Sequence, residues 1–545
     1  MQVHQITISP SSDPIRVANK LKQHRQTLET TKSQLEPLFG KNEEAQSYQA
    51  LSNLLEPFKY AKFIISDRYN TPSVSIPWLK IMEIISHFKL IEYLLDLMLE
   101  KKTRADTQLQ QLNEQSQSPS PPPISALMDE PNEVQDFLPF DLENTYLIQK
   151  AKTDPYAKYA GIDYITIYDN AGLPGSSFMA VLHYIHSMFR FSSVCNKFYW
   201  YANPYTDVPT EATDTFHLYE NYKDTSHWVG FCEAHDIKGI EQVCNFFYPF
   251  VDIPSGQDTS NKQDTSNKQD ISNKQDTSNK QDKRNIGVYL YISDKSPDIG
   301  RQYDKQEEIH APINYGQICC AMGILAEGGC MICKQFTFTT PASIYLLERV
   351  ASCFDKLYIS KPTTSKSDNS ECYIVGIGFI REAGKQLHVA LLTELSNFNM
   401  ENYTGETLAS SQYLKSIYTV STSLINGQIS AINDGIRMHE QYKQDYAGVK
   451  KMLADRGRNT VRDWISRCDL RPLDTRYWLY VVNTTQYQTK YKKADTHVNN
   501  NDNSKHRFVH DTSNRHDTSN RHDQNISKRD NWNRNNQKNR SRMQM

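Results

Sequence analysis

The chain has 545 residues, enough for two or three domains, and its hydrophobic share of 38% is low because polar tracts dilute apolar stretches concentrated between about Leu51 and Phe379. A formal net charge of −2 excludes a uniformly basic protein, yet from Gln486 onward 13 Lys/Arg stand against 6 Asp, so this tail is locally cationic and suits either a polyanionic partner or solubility. Ten scattered cysteines, several inside apolar runs (Cys195, Cys244, Cys319, Cys320, Cys353), favour buried thiols in a reducing compartment over a disulfide framework.

In chain order, Met1 to Arg25 is polar throughout and carries no leader pattern, and residues before about Asn70 read as a helical flank. Leu90–Leu99 is the best apolar run, but it is short and contains Glu92 and Asp96, so it cannot cross a bilayer. The expectation is a soluble, intracellular protein. Gln108 to Pro131, with QSQSPSPPP inside it, has the composition of a disordered segment.

Alternation of strand and helix patterns follows. Ile165–Asp169 is strand-like, Ser176–Phe189 has helical spacing, and Lys197–Tyr201 is a second strand. Hexapeptide-like units (QDTSNK and variants) begin near Gln257, and HDTSNR recurs at His510 and His516. They lack apolar positions that stacking could bury, so they read as flexible insertions. Val288–Ser293 is the third strand. Tyr315–Leu325 reads as a helix stopped by Gly328-Gly329, then Cys330–Phe336 as a strand, and Thr340–Phe354 as a helix. Lys356–Ser360 and Cys372–Phe379 close the strand series, and Leu391 to Val482 is again helical. Such alternation predicts an α/β domain: a largely parallel sheet with helices on both faces.

Ligands of such sheets bind beyond the carboxyl ends of the strands. There, Asn170-Ala171-Gly172-Leu173-Pro174-Gly175-Ser176 forms a tight turn between strand and helix, which lets backbone approach a ligand, although by itself such a turn is more often structural. Asp294 follows the Val288–Ser293 strand, Lys334 interrupts an apolar strand, and Glu371 opens the last strand. Taken singly, each is an ordinary edge lysine or solvated acid. Cys330 and Cys333 form CxxC only formally, since strand geometry points them to opposite faces, and no metal-ligand cluster is evident.

Together, the run GGCMICKQF, the following helix, YISKPTTS and NSECYIVGIGF resemble the FtsJ/RrmJ-like family of RNA 2′-O-ribose methyltransferases, in the branch found in cytoplasmic large DNA viruses. The resemblance covers roughly Ile76 to Phe379. It implies a Rossmann-like, S-adenosylmethionine-dependent domain over 71–385 with disordered insertions near 104–135 and 256–284. Flanking it would be helical regions at 1–70 and 386–485, then a disordered basic tail at 486–545. It further implies a Lys–Asp–Lys–Glu catalytic tetrad, of which Asp294, Lys334 and Glu371 map directly. For the first lysine, Lys80 in SIPWLKIMEII matches the family's aromatic-rich pattern; Lys150 stands at a more ordinary distance in a poorer match.

The resemblance assigns the cofactor to Asp169, Gly172, Pro174 and Gly175, with Asn203 as the nearest polar candidate for the ribose and Asp236 facing the adenine. The chain departs from the family in having Ser176 and Asn170 at this turn and no acid after the second strand. The expected partner is RNA, most readily a capped mRNA 5′ end, with no membrane, in host cytoplasm or a virion. An rRNA or tRNA target, or a non-catalytic RNA-binding protein on a decayed fold, are the alternatives. Lys334, in an apolar strand near Lys80, is expected to have a lowered pKa that suits a base.

Overall fold

A computed structural model of the protein describes residues 1–8, 14–38, 42–71, 74–116, 154–190, 192–204, 214, 218–223, 227–229, 233, 235–248, 287–295, 305–403 and 412–474. The repeats from Gln257, Lys150, and the basic tail lie outside them. The described residues all fall within one unit, Met1–Val482.

Seven strands form one sheet: β1 (Gln2–Ile6), β2 (Ile165–Asp169), β3 (Phe198–Ala202), β4 (Val288–Ser293), β5 (Leu325–Gln335), β6 (Phe354–Lys361) and β7 (Cys372–Phe379). Their order is β1-β6-β7-β5-β4-β2-β3. The pairs β2–β3, β2–β4 and β4–β5 are parallel, whereas β5–β7, β7–β6 and β6–β1 are antiparallel. Five strands, β2 to β6, thus share one direction, as the α/β reading expects, and the sheet is mixed only because β7, between β5 and β6, and the edge strand β1 run against them.

Period-two alternation sends neighbouring side chains of each central strand into different cores. Ile165, Ile167, Leu290, Ile292, Cys330, Ile332, Tyr373 and Val375 enter one cluster. Tyr168, Tyr291, Met331, Cys333, Cys372 and Ile374 enter the other. Cys330 and Cys333 thus face opposite ways, as strand geometry requires. The thirteen α-helices among the described residues are α1 (Pro14–Ser33), α2 (Glu43–Leu55), α3 (Phe58–Arg68), α4 (Ile76–Phe88), α5 (Leu90–Ser116), α6 (Ser176–Met188), α7 (Leu218–Tyr222), α8 (Ile237–Phe247), α9 (Gln306–Ile324), α10 (Pro341–Ala351), α11 (Arg381–Ser396), α12 (Leu414–Gln444) and α13 (Tyr446–Arg467). Residues of α4, α5 and α6 cover the first face, and those of α8 to α12 the second.

Three local expectations are corrected. Gly328-Gly329 do not stop a helix: α9 begins at Gln306 and runs directly into β5 at Leu325. The glycines lie inside the strand, where the β4–β5 register shifts between Val288 and Leu290, and Gly328 takes a φ of 79°. The N-terminal flank is not wholly helical, since β1 pairs with β6 from Gln2↔Lys361 to Ile6↔Leu357. Its sequence has little alternation, and an existing sheet edge templates it. Gln108–Ser116, expected to be disordered, continues α5, as its Gln, Leu and Glu residues have good intrinsic helix propensity.

The C-terminal helices close over the first face. Trp464 of α13 is fully buried, meets Phe58 edge-on at 5.8 Å, and donates its indole N–H to Glu83 of α4 at 3.1 Å. Replacing it leaves a cavity and removes a donor from a buried carboxylate. Trp464→Ala is expected to cost about 3–5 kcal/mol of stability in denaturant unfolding.

Candidate active site

Helix α4 is apolar around most of its circumference: Trp78, Leu79, Ile81, Met82, Ile84 and Ile85 are all buried. A helix of that composition belongs inside the protein. Ser75 caps it by accepting from Trp78 N, Pro77 sits in its first turn, and Lys89 ends it in the left-handed conformation. Two charged residues are carried inside with it, Lys80 at 6% and Glu83 at 3% exposure. Buried charges need partners.

Lys80 finds Glu371 at 2.5 Å, just before β7. The other oxygen of Glu371 lies 3.1 Å from Lys334 Nζ on β5, and Lys334 also reaches Asp294 Oδ1, just past β4, at 3.4 Å. Four residues separated by up to 291 positions thus form one buried cluster with two positive and two negative charges. The structure brings together Lys80, Asp294, Lys334 and Glu371. Lys150 lies outside the described residues.

A set of supporting contacts holds the cluster. Ser365 donates to Glu371, and Tyr373 donates to Asp294 at 2.7 Å. Lys361, at the end of β6, donates to the Glu371 carbonyl at 2.8 Å and to both oxygens of Asn369. Glu83 accepts from Thr363 N, Thr364 N and Thr364 Oγ1, which fixes the loop between β6 and Glu371. None of these supporting residues was singled out from sequence. For Glu83 a signal existed: a carboxylate three residues after Lys80 in an otherwise apolar helix.

Electrostatics overturns one expectation. Burial alone would lower the Lys334 pKa, but Asp294 and Glu371 outweigh it and hold the ammonium above the ordinary lysine range. Burial likewise works against ionised Glu371, yet Lys334, Lys80 and the hydroxyl of Ser365 bring its carboxyl down to about 2. Burial and a second cation favour loss of the proton, but the attraction of two acids this close is the larger effect.

The turn after β2 lies beside this cluster. Asn170 N donates to Ile292 O of β4 at 2.8 Å. Asp169 is fully buried and accepts from Ala171 N at 3.0 Å and Phe178 N at 3.3 Å. Burial, with a smaller contribution from Asp294, pushes its carboxyl up to about 7 despite those two donors. Gly172 N donates to Asn203 O at 2.9 Å, and a Cβ on Gly172 would stand 2.4 Å from that of Ala202. Gly175 caps α6 with a φ of 100°, a conformation that favours glycine, and offers no side-chain cap. Pro174 follows a cis peptide bond. Asn203 is buried after β3, with its N–H on Asp169 O. Asp236 caps α8, accepting from Lys238 N, and is half-buried.

Asn170 Nδ2 is buried without a hydrogen-bond acceptor among the described residues. An unsatisfied buried amide beside a helix N-terminus is what a turn made to receive a polar ligand presents.

Residues 251–379 match the family model described as FtsJ-like methyltransferase. A probable methyltransferase of African swine fever virus is 27% identical over 299 residues, covering 53% of this chain and 64% of the relative. Cap-specific mRNA (nucleoside-2′-O-)-methyltransferase 2 of Danio rerio is 38% identical over 111 residues, 20% of this chain and 15% of the relative. The Mus musculus protein of that name is 26% identical over 198 residues, 35% of this chain and 25% of the relative. The chain thus spans less than two thirds of the length of these relatives. No helix among the described residues is long and apolar enough to cross a membrane.

The depressed Glu371 carboxyl makes a directional prediction. Its contribution to stability is complete above the ordinary carboxyl value of about 4.3 and is lost as pH falls toward 2. Glu371→Gln is therefore expected to lower Tm at pH 7 by more than at pH 3. An equal loss at both pH values in thermal unfolding would show that the ion pairs contribute nothing.

Proposed function

We propose that this chain, which carries an FtsJ-like methyltransferase domain, is an S-adenosylmethionine-dependent RNA ribose 2′-O-methyltransferase that acts on the 5′ end of capped mRNA. The observation that carries the reading is the buried Lys80–Glu371–Lys334–Asp294 cluster at the carboxyl ends of the strands, next to the turn after β2. The names of the animal relatives favour the cap over rRNA or tRNA.

The turn suits the methyl donor, and Asn170 Nδ2 supplies the physical support for that fit. Asp169, Gly172, Pro174, Gly175 and Asn203 would hold the donor, with Asp236 toward the adenine. When bound, the donor supplies a methyl group already activated on a sulfonium.

The remaining work falls to the protein. A ribose hydroxyl is a weak nucleophile near neutral pH, so it must be aligned and relieved of its proton. Alignment contributes effective molarities on the order of 10⁵ M or more. Lys334 is the group assigned to the hydroxyl. At rest it keeps its proton, because two carboxylates stabilise the ammonium. The four side chains balance two charges against two, so any further cation in the site favours loss of a proton from a lysine. Glu371 spans both lysines and fixes their separation. Asp294 holds Lys334 from its other side.

Lys334→Ala is expected to reduce methyl transfer about 10²–10⁴-fold while leaving binding of S-adenosylmethionine, read by calorimetry, within about twofold. Retained turnover would refute the assignment of Lys334. Capped and uncapped transcripts, followed by mapping of the methylated nucleotide, test the substrate. A transcript with a 2′-deoxy target nucleotide should remain unmethylated.

A further inference from the structure

Tyr373 is wholly buried on β7. In the antiparallel β5–β7 ladder it lies directly opposite Lys334, so both side chains leave the sheet on one face. Its phenol oxygen stands 2.7 Å from Asp294 Oδ1. That same oxygen is the one Lys334 Nζ reaches, at 3.4 Å. One carboxylate oxygen therefore serves two donors, one neutral and one cationic.

We infer that Tyr373 is a positioning residue that weakens the hold of Asp294 on the Lys334 ammonium by occupying the same oxygen. The inference rests on the ribose-methylation reading above for its meaning in catalysis. The phenol is a permanent donor: burial first, then the charges of Asp294 and Glu371, push its pKa well above the ordinary tyrosine value. A hydrogen bond to Oδ1 draws negative charge off that atom and leaves Lys334 nearer to Glu371, at 3.1 Å. Without the hydroxyl, Lys334 would be the one donor to Oδ1 among the described residues, and the pair would tighten. Lys334 would then hold its proton to higher pH. The other charged groups around the pair are Lys80 from α4, bound to the same Glu371, and Asp169 at the end of β2, which feels Asp294.

Tyr373→Phe in the full chain tests this with two readouts. The first is the rate of reductive methylation of Lys334 by formaldehyde and borohydride, located by peptide mass spectrometry, which follows the free-amine fraction and needs no turnover. It should fall about three- to tenfold at fixed pH, the equivalent of roughly half to one unit in pKa. The second is the pH profile of kcat, whose acid-side midpoint should rise by the same half to one unit, with KM for RNA within about twofold. A lowered Tm with an unchanged modification rate would overturn the inference and leave Tyr373 as packing alone. If Tyr373→Phe does not fold, a fluorotyrosine at 373, which keeps the shape and donates more strongly, should accelerate modification; a slower rate would overturn the inference. Absence of turnover in the unaltered protein would overturn the methyltransferase reading instead, and the modification ratio would still decide the role of Tyr373.

Discussion

Everything at the strand ends is arranged around a single carboxylate shared by two buried ammonium groups. Glu371 takes Lys80 on one oxygen and Lys334 on the other. Withdrawing four charges from water costs several kcal/mol per ion before any attraction is counted. The arrangement persists because both Glu371 oxygens and Asp294 Oδ1 are paired or hydrogen-bonded and because the cluster is neutral as a set. Removing any one member would strand a charge, which makes the four residues a unit rather than four independent contributors. Such a cluster is a poor device for stability, where apolar side chains of the same volume would serve as well. Its retention inside a well-packed core therefore points to chemistry.

That constraint explains why so much chain lies outside the matched 251–379 segment. The segment contains Asp294, Lys334 and Glu371 but neither Lys80 nor the Asn170–Gly175 turn. Lys80 has to be delivered by α4, an apolar helix that must itself be covered. Trp464 of α13 and the backbone after it provide part of that cover, with Ser86 donating to Cys468 O and Leu473 N donating to Tyr69 O. Glu83 then converts the packing of α4 into the position of the Thr363–Glu371 loop. The C-terminal helix and the carboxylate at the heart of the cluster are linked through one buried acid, so α13 acts on the site through Glu83 without touching it.

How much of this could be read from the residues follows from which signals are local. The central strands were legible because strands buried on both faces are mostly apolar, as residues 165–168 and 288–292 are. Gln2–Ile6 was not, because an edge strand borrows its conformation from the strand it joins. Gly328-Gly329 misled because a glycine pair breaks helices and permits bulges equally well, and only the β4–β5 register distinguishes the two. Asp294, Lys334 and Glu371 were individually unremarkable in sequence and were assembled through a family resemblance. The geometry now gives them a physical reason to be together. Lys361, Ser365 and Tyr373 stayed hidden, since a supporting contact has no composition of its own.

The reversed sign of the Lys334 shift changes what the site must do. A lysine with a lowered pKa would enter each cycle as a free amine, needing only alignment. If Lys334 is the base proposed above, a lysine held protonated by two acids must be made to give up its proton by a change in its surroundings, which would couple its deprotonation to the filling of the site. Coupling of that kind would protect the site, because an ammonium is no nucleophile and so is not itself a target for methyl transfer. It also gives the supporting shell leverage. Each contact that moves charge on Asp294 or Glu371 shifts the point at which Lys334 becomes free, and one pKa unit is a tenfold change in the population of the reactive form. On the proposed reading, the strand register that puts Tyr373 opposite Lys334 belongs to the chemistry: it would set, through one hydrogen bond, how far the lysine stands from its working state.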